Sequence, residues 1–297
     1  MPTTVGLTVS AQVSYARMSL KQLKELAREY VPELSKSFSL LSWSANPKTN
    51  KSAKVGDLVA IMNLWPFEDA DGRNVCPWAT PGCIAGCLNK AGNPIYMPAK
   101  ERSRRAKTAL WWADRKLFLE LLRRELTSHV KRADRLGMLA CARLNGTSDI
   151  PFEHTGIMQG FDFGAIRFYD YTKSFDRAMK QPYHLTLSRT EENDDECLLA
   201  LKEGVNVAVV AAGYGCSAHP KPIPAFTEYY GKPIKIVDGD VHDSTWRHQP
   251  GQIILLRAKG LAKDDDTGFV VERDHFEAFL GYKQITPQEV PHVLDRE

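Results

Sequence analysis

The chain has 297 residues, 43% hydrophobic and 25% charged, the composition of an ordinary folded domain and not of a disordered or collagen-like chain. Its 39 Lys+Arg against 36 Asp+Glu leave a net charge of +3, too small for a wholly basic nucleic-acid binder, so any such role must come from a local patch. No run approaches the ~18 consecutive apolar residues of a membrane span, and Met1 to Ser19 lack the basic start and apolar block of a secretory signal, so a reducing cytoplasm is expected.

Ser19 ahead of Leu20, Leu23, Leu26 and Ala27 marks the capped start of a short amphipathic helix ending near Tyr30, before Pro32. Strand candidates follow at Phe38–Trp43 and Leu58–Asn63. The stretch Glu68–Pro98, rich in Gly and Pro, holds three of the six cysteines and reads as a structured loop of no regular period. From Ala99 to about Arg135 one long helix is expected, with Leu110, Trp111, Leu117, Phe118, Leu121, Leu122, Leu126 and Val130 on one face. Further apolar runs at Leu139–Leu144, Ile166–Tyr169, Tyr183–Leu187, Val205–Ala211, Ile234–Val237 and Ile253–Leu256 fit buried strands. Helical segments such as Ser174–Lys180 and Glu191–Lys202 separate several of them, whereas Ala211 to Ile234 reads as an irregular, Pro-rich loop.

Strands alternating with helices predict a single α/β domain over residues 1–297 with a mostly parallel sheet, barrel-like or a partial barrel. The cysteine-rich segment 68–98 is then a metal-binding loop inserted after an early strand, and an open sheet is the competing architecture. In either case functional residues gather where strands end and loops begin.

Six cysteines in a reducing compartment read as metal ligands, catalytic groups or buried small hydrophobes before they read as disulfides. Cys76, Cys83 and Cys87 lie close together in chain that Gly and Pro allow to wrap, so their thiolates can converge on one metal centre. Three cysteines in one loop suit a cubane [4Fe-4S] cluster whose fourth iron is bound from elsewhere or left open. Zinc is the alternative metal, and reduced buried thiols are the alternative without one. Cys216, in Gly213–His219 after the run Val205–Ala211, is the expected fourth ligand, with Tyr214, His219, His242 or an open site as the other choices. Cys141 and Cys197 fall within a strand and a helix and read as core.

The polar strand ends supply the other candidates. Arg143, Asn145, Ser148 and Asp149 follow one strand and form either a functional set or a turn that caps the next segment. Lys173, after Tyr169, Asp170, Tyr171 and Thr172, suits an anionic substrate or proton transfer, or else a solvated position beside a helix cap. Arg189 presents a planar fork suited to carboxylate or phosphate. His242, with Asp238, Asp240 and Asp243, suits proton transfer, a hard cation or a structural turn. Residues 100–135 carry 12 Lys+Arg against 5 Asp+Glu, a basic helix that is either a solvated face or a nucleic-acid surface with Trp111 and Trp112 as stacking groups.

The loop from Cys76 to Cys87, together with Arg143–Glu153, Asp238–Asp243 and Arg257–Gly260, resembles the phage-encoded proteins of the gene product 88 type. The cysteine loop is also similar to the cluster loop of radical S-adenosylmethionine enzymes, which place three cysteines after the first strand of a (β/α) barrel. Its C-x6-C-x3-C spacing departs from their C-x-x-x-C-x-x-C. These resemblances imply a phage protein in the cytoplasm of an infected bacterium, holding an iron–sulfur cluster for redox or radical chemistry on an unidentified substrate, with S-adenosylmethionine as a possible cofactor. A zinc-stabilised module that binds nucleic acid or a host protein without catalysis is the alternative.

Overall fold

All eight apolar runs form strands in the computed structural model, which describes residues 15–43, 47–67, 72–88, 98–216, 219–229, 232–273 and 284–285. In chain order the strands are β1 (Leu41–Ser42), β2 (Asp57–Met62), β3 (Leu139–Arg143), β4 (Ile166–Thr172), β5 (His184–Ser188), β6 (Val207–Ala211), β7 (Phe226–Tyr229), β8 (Lys232–Asp238), β9 (Ile253–Arg257) and β10 (Gln284–Ile285). β7 falls in the stretch read from sequence as irregular. The hydrogen-bonded order is β1-β2-β3-β4-β5-β6-β9-β8-β7-β10. Strands β2 to β6, β9 and β8 run parallel, whereas β1, β7 and β10 pair antiparallel at the two ends.

The sheet is mostly parallel and is not closed, since β1 and β10 stand at opposite ends of the order.

The helices are α1 (Leu20–Tyr30), α2 (Pro47–Ala53), α3 (Pro81–Ala85), α4 (Pro98–Ala113), α5 (Arg115–Leu136), α6 (Phe175–Lys180) and α7 (Asp194–Lys202). The Ser19 cap of α1 is present as a full capping box with Gln22. The single helix expected from Ala99 to Arg135 is two helices, because the Asp114 carboxylate accepts the Leu117 N–H at 2.8 Å and caps a new start. Within the cysteine segment, the loop expectation is corrected by the short helix α3, capped by Thr80, while residues 68–71 and 89–97 lie outside the described residues.

Strand alternation divides the sheet into two unlike faces. Ala60, Met62, Ala140 and Ala142 join α1, α4 and α5 in one apolar cluster, and Leu187, Val207, Val209, Ile253 and Leu255 join α6 and α7 in a second. The strands from β2 to β6 step in one direction, which keeps their crossovers on one side of the sheet. The opposite face carries the intervening residues: Val59, Ile61, Cys141 and Tyr169, then Arg143, Tyr171 and Lys173 beyond them toward the strand ends. No helix of the described residues is long and apolar enough to cross a membrane.

One buried carboxylate fastens β1 to the helices. Glu125 on α5 accepts the Leu40 and Leu41 N–H groups at 3.0 and 2.9 Å and the Ser39 hydroxyl at 2.7 Å. Lys107 of α4 lies beside it, and burial pushes that ammonium down to about 8 against the attraction of Glu125. Glu125→Ala leaves buried donors without an acceptor and is expected to cost about 3 kcal/mol in urea unfolding, with Glu125→Gln retaining part of the loss.

At the N-terminal ends of β5 and β6 a second cavity of about 540 Å³ is lined by His184, Asn206, Trp246 and His248. His242 stacks on His248 with ring centroids 5.0 Å apart, so this sequence candidate joins a histidine cluster at the opposite end of the strands from the cysteines. Burial, with the charge of Arg167, pushes His184 down to about 4, and burial with the neighbouring histidines does the same to His248, against an ordinary 6.5. The unfolded chain therefore takes up protons near pH 6.5 that the folded chain refuses until about pH 4. Stability should fall as pH drops through that window, and His184→Gln should flatten the slope in a series of Tm measurements from pH 7 to 4.

Candidate functional site

The parallel strands end at one edge of the sheet, and their alternation sets which side chains meet there. Arg143 ends β3 two residues after the inward Cys141. Tyr171 and Lys173 stand at the end of β4, Ser188 and Arg189 at the end of β5, and Arg257 at the end of β9. These residues line a cavity of about 170 Å³ together with Asn145, Asp149, Lys259 and the three loop cysteines. That volume exceeds the ~150 Å³ that accommodates benzene in an engineered protein cavity.

The cysteine loop leaves β2 and is tied to the strand ends by its backbone. The Asn74 side chain accepts the Cys76 N–H at 2.6 Å, and the Asp149 N–H donates to the Val75 carbonyl at 2.8 Å. Glu191, beyond β5, accepts the Thr80 hydroxyl at 2.8 Å and the Gly82 N–H at 2.6 Å. Gly82 is required at this contact, since a Cβ there would lie 2.6 Å from the Phe269 Cβ. Cys76, Cys83 and Cys87 are all half-buried on the cavity wall. Cys76 donates weakly to the Thr147 carbonyl at 3.7 Å, and burial pushes its thiol up to about 12 despite the nearby Lys173. The Lys173 ammonium hydrogen-bonds Cys83; burial disfavours its charge, but the attraction of Cys83 and Asp149 moves it upward overall. Arg104 of α4 lies within electrostatic reach of Cys87.

Charged residues brace this wall from behind. Arg143, 6% exposed, donates to Asp243 at 3.1 Å, lies 3.8 Å from Asp170 and stacks over the Tyr171 ring at 4.5 Å. Asp170 accepts the Asn145 N–H at 2.9 Å, and burial raises its carboxyl to about 7 against the pull of Arg143. Asp149 accepts from Arg177 at 2.5 Å, from the Lys173 N–H at 2.9 Å and from the Thr172 hydroxyl at 3.1 Å. Arg177 also holds Glu153 at 2.7 Å. Arg189 spends its fork on Asp194 and on the Gly268 and Phe269 carbonyls. Arg257 pairs with Asp238 at 2.6 Å, and Lys259 with Asp240.

The structure thus gathers Cys76, Cys83, Cys87, Arg143, Asp149, Lys173 and Arg189 at one cavity. His242 lies in the histidine cluster. Cys216 is half-buried in the turn closed by the Gly215–Pro220 bridge and is not among the residues lining the cavity. Cys141 and Cys197 are fully buried core residues, as the sequence suggests. Sequence reasoning missed Glu191, Arg177 and Lys259; of these Lys259 carries a usable signal, since it follows an apolar run as the other strand-end residues do. The basic residues of 100–135 are split between α4 and α5, and Trp111 is 3% exposed, packed against Phe118 and Phe152.

The donor set suits a thiophilic metal or an iron–sulfur cluster in kind, being three thiols on one wall with a cation beside them. The thiols share the cavity wall without converging on one centre: among the described residues no group of three or more His, Cys, Asp or Glu side chains is arranged to hold a metal ion.

A family model described as Gene product 88 matches residues 38–273. No curated protein and no solved structure matches the chain. The matched stretch takes in the cysteine loop, the cavity and every parallel strand, and by it the chain belongs to the gene product 88 family of phage proteins.

Proposed function

We propose that this protein carries a [4Fe-4S] cluster on Cys76, Cys83 and Cys87 and uses it for redox or radical chemistry on a substrate held in the adjoining cavity. One observation carries the reading: the loop follows β2, the first strand of the parallel series, and lines the cavity at the strands' C-terminal ends with all three thiols. The neighbours β2-β3-β4-β5-β6-β9 follow chain order, as in a (β/α) barrel that has been opened, and this supports a partial barrel as the finer description of the sheet. Radical S-adenosylmethionine enzymes carry their cluster loop after the first barrel strand, which makes S-adenosylmethionine the cofactor this reading names. Such a cluster supplies one-electron chemistry.

The chain's own residues do the rest. Lys173 offsets negative charge at the thiolates, Glu191 and Asn74 fix the loop backbone, and Arg143 and Asp149 hold the strand-end wall. The reading assigns no role to Cys216, which lies off the cavity. The zinc-stabilised nucleic-acid or host-protein module has less support, because Trp111 is packed inside the helical layer.

Purification without oxygen tests this. The expected product is brown, with broad visible absorption that bleaches on reduction and iron and sulfide in equal amounts. Cys76→Ser, Cys83→Ser and Cys87→Ser should each lose most of the iron, whereas Cys216→Ala should keep it. A shift of the reduced protein's electron-resonance signal on adding S-adenosylmethionine would support the radical branch. A colourless protein with stoichiometric zinc and no sulfide overturns the proposal, and iron loss in Cys216→Ala overturns the three-cysteine assignment.

A further inference from the structure

We infer that the cavity seats an anionic group of its ligand, a carboxylate or a phosphate, against Arg143, Tyr171 and Lys173 at the ends of β3 and β4. This deepens the proposed function by naming a ligand class for the same site, and its test does not depend on iron.

The cavity wall carries five cationic side chains, Arg143, Lys173, Arg189, Arg257 and Lys259, against one carboxylate, Asp149. Asp149 is itself committed to Arg177 at 2.5 Å. The carboxylates that balance the wall cations stand behind them and outside the lining. Two of the arginines are spent: Arg189 on Asp194 and two carbonyls, Arg257 on Asp238 and two carbonyls. Donor capacity remains at the β3 and β4 ends. Arg143 brings its positive charge to the cavity wall, while its Nε–H is shut off from solvent and lies 3.8 Å from Asp170. The Tyr171 hydroxyl, on the ring over which that guanidinium stacks, has no hydrogen-bond partner among the described residues. Lys173 donates to a thiol, an acceptor weaker than a carboxylate oxygen. Two donors on the cavity wall, the Tyr171 hydroxyl and the Lys173 ammonium, together with the positive charges of Arg143 and Lys173, are matched by an oxyanion.

The test is a thermal titration of the full chain with inorganic phosphate and, separately, with malonate, at ionic strength held constant with chloride. Tm should rise saturably with at least one of them, and which one identifies the group as phosphoryl or carboxyl. Tyr171→Phe keeps the ring beneath Arg143 and should move the half-saturating concentration up about tenfold, the effect of losing one hydrogen bond to a charged group. Lys131→Gln, on α5 and off the cavity, should leave the titration unchanged. No saturable rise with either anion, a Tyr171→Phe titration equal to wild type, or an equal shift in Lys131→Gln overturns the inference. Iron is measured on the same samples: an anion response in iron-free protein upholds this inference and overturns the cluster, and iron-loaded protein without a response does the reverse.

Discussion

Burying the Arg143 guanidinium is the constraint around which the strand ends are arranged. A cation taken out of water costs several kcal/mol unless it is paired and hydrogen-bonded, and truncating one partner of such a pair leaves the penalty uncompensated. Here the compensation comes from three side chains at two places in the chain. Asp170 stands on β4, Asp243 follows β8, and the Tyr171 ring lies under the guanidinium plane. Asp243 is itself placed by α2, whose Ser52 hydroxyl accepts its N–H at 3.1 Å. One charge at the end of β3 thus ties together an early helix, a central strand and a loop near the far edge of the sheet, and the same side chain forms part of the cavity wall.

Three of the other four wall cations repeat the pattern, with a carboxylate outside the cavity lining as partner. Arg189 is held by Asp194, Arg257 by Asp238, and Lys259 by Asp240. For stability alone such pairs are a poor choice, since well-packed apolar residues serve as well or better. What they provide is orientation: a charged group whose rotamer is fixed by a second charged group keeps its direction when a ligand arrives. Asp149 reverses the polarity, a carboxylate on the wall fixed by Arg177 behind it, and its acceptance of the Lys173 N–H sets where β4 gives way to loop.

Much of this was legible in the sequence, and the misses share a cause. Seven of the eight apolar runs became the parallel strands because a buried parallel sheet needs near-continuous apolar residues, a local property of the chain. β7 escaped notice because a strand antiparallel to both its neighbours is under no such demand. Closure of the sheet was not legible either, since it depends on whether the two end strands meet, and no local pattern encodes that. The break between α4 and α5 was readable in principle: Asp114 is a capping residue set inside an apolar period that continues across it. At the site, the rule that function follows strand ends found Arg143, Asp149, Lys173 and Arg189. It did not find Glu191 or Arg177, because what makes them matter is the partner each meets in space, Gly82 more than a hundred residues earlier for one and Asp149 on another strand end for the other.

The six cysteines show how the same residue type divides by surroundings. Cys141 and Cys197 are enclosed by apolar neighbours with no exposure, where a thiol acts as a small hydrophobe. Cys76 and Cys83 are held by their backbones, through Asn74, Thr80 and the Glu191 carboxylate on the adjoining Gly82, while the Cys76 sulfur meets the Thr147 carbonyl at 3.7 Å and the Phe67 N–H, and the Cys83 sulfur meets the Lys173 ammonium. A rigid backbone with weakly engaged side chains is the arrangement in which sulfur can exchange its partner without disturbing the fold. Lys173 beside Cys83 is placed to offset charge on a thiolate, the form that acts as nucleophile and metal ligand, whereas burial holds the Cys76 thiol toward its protonated form.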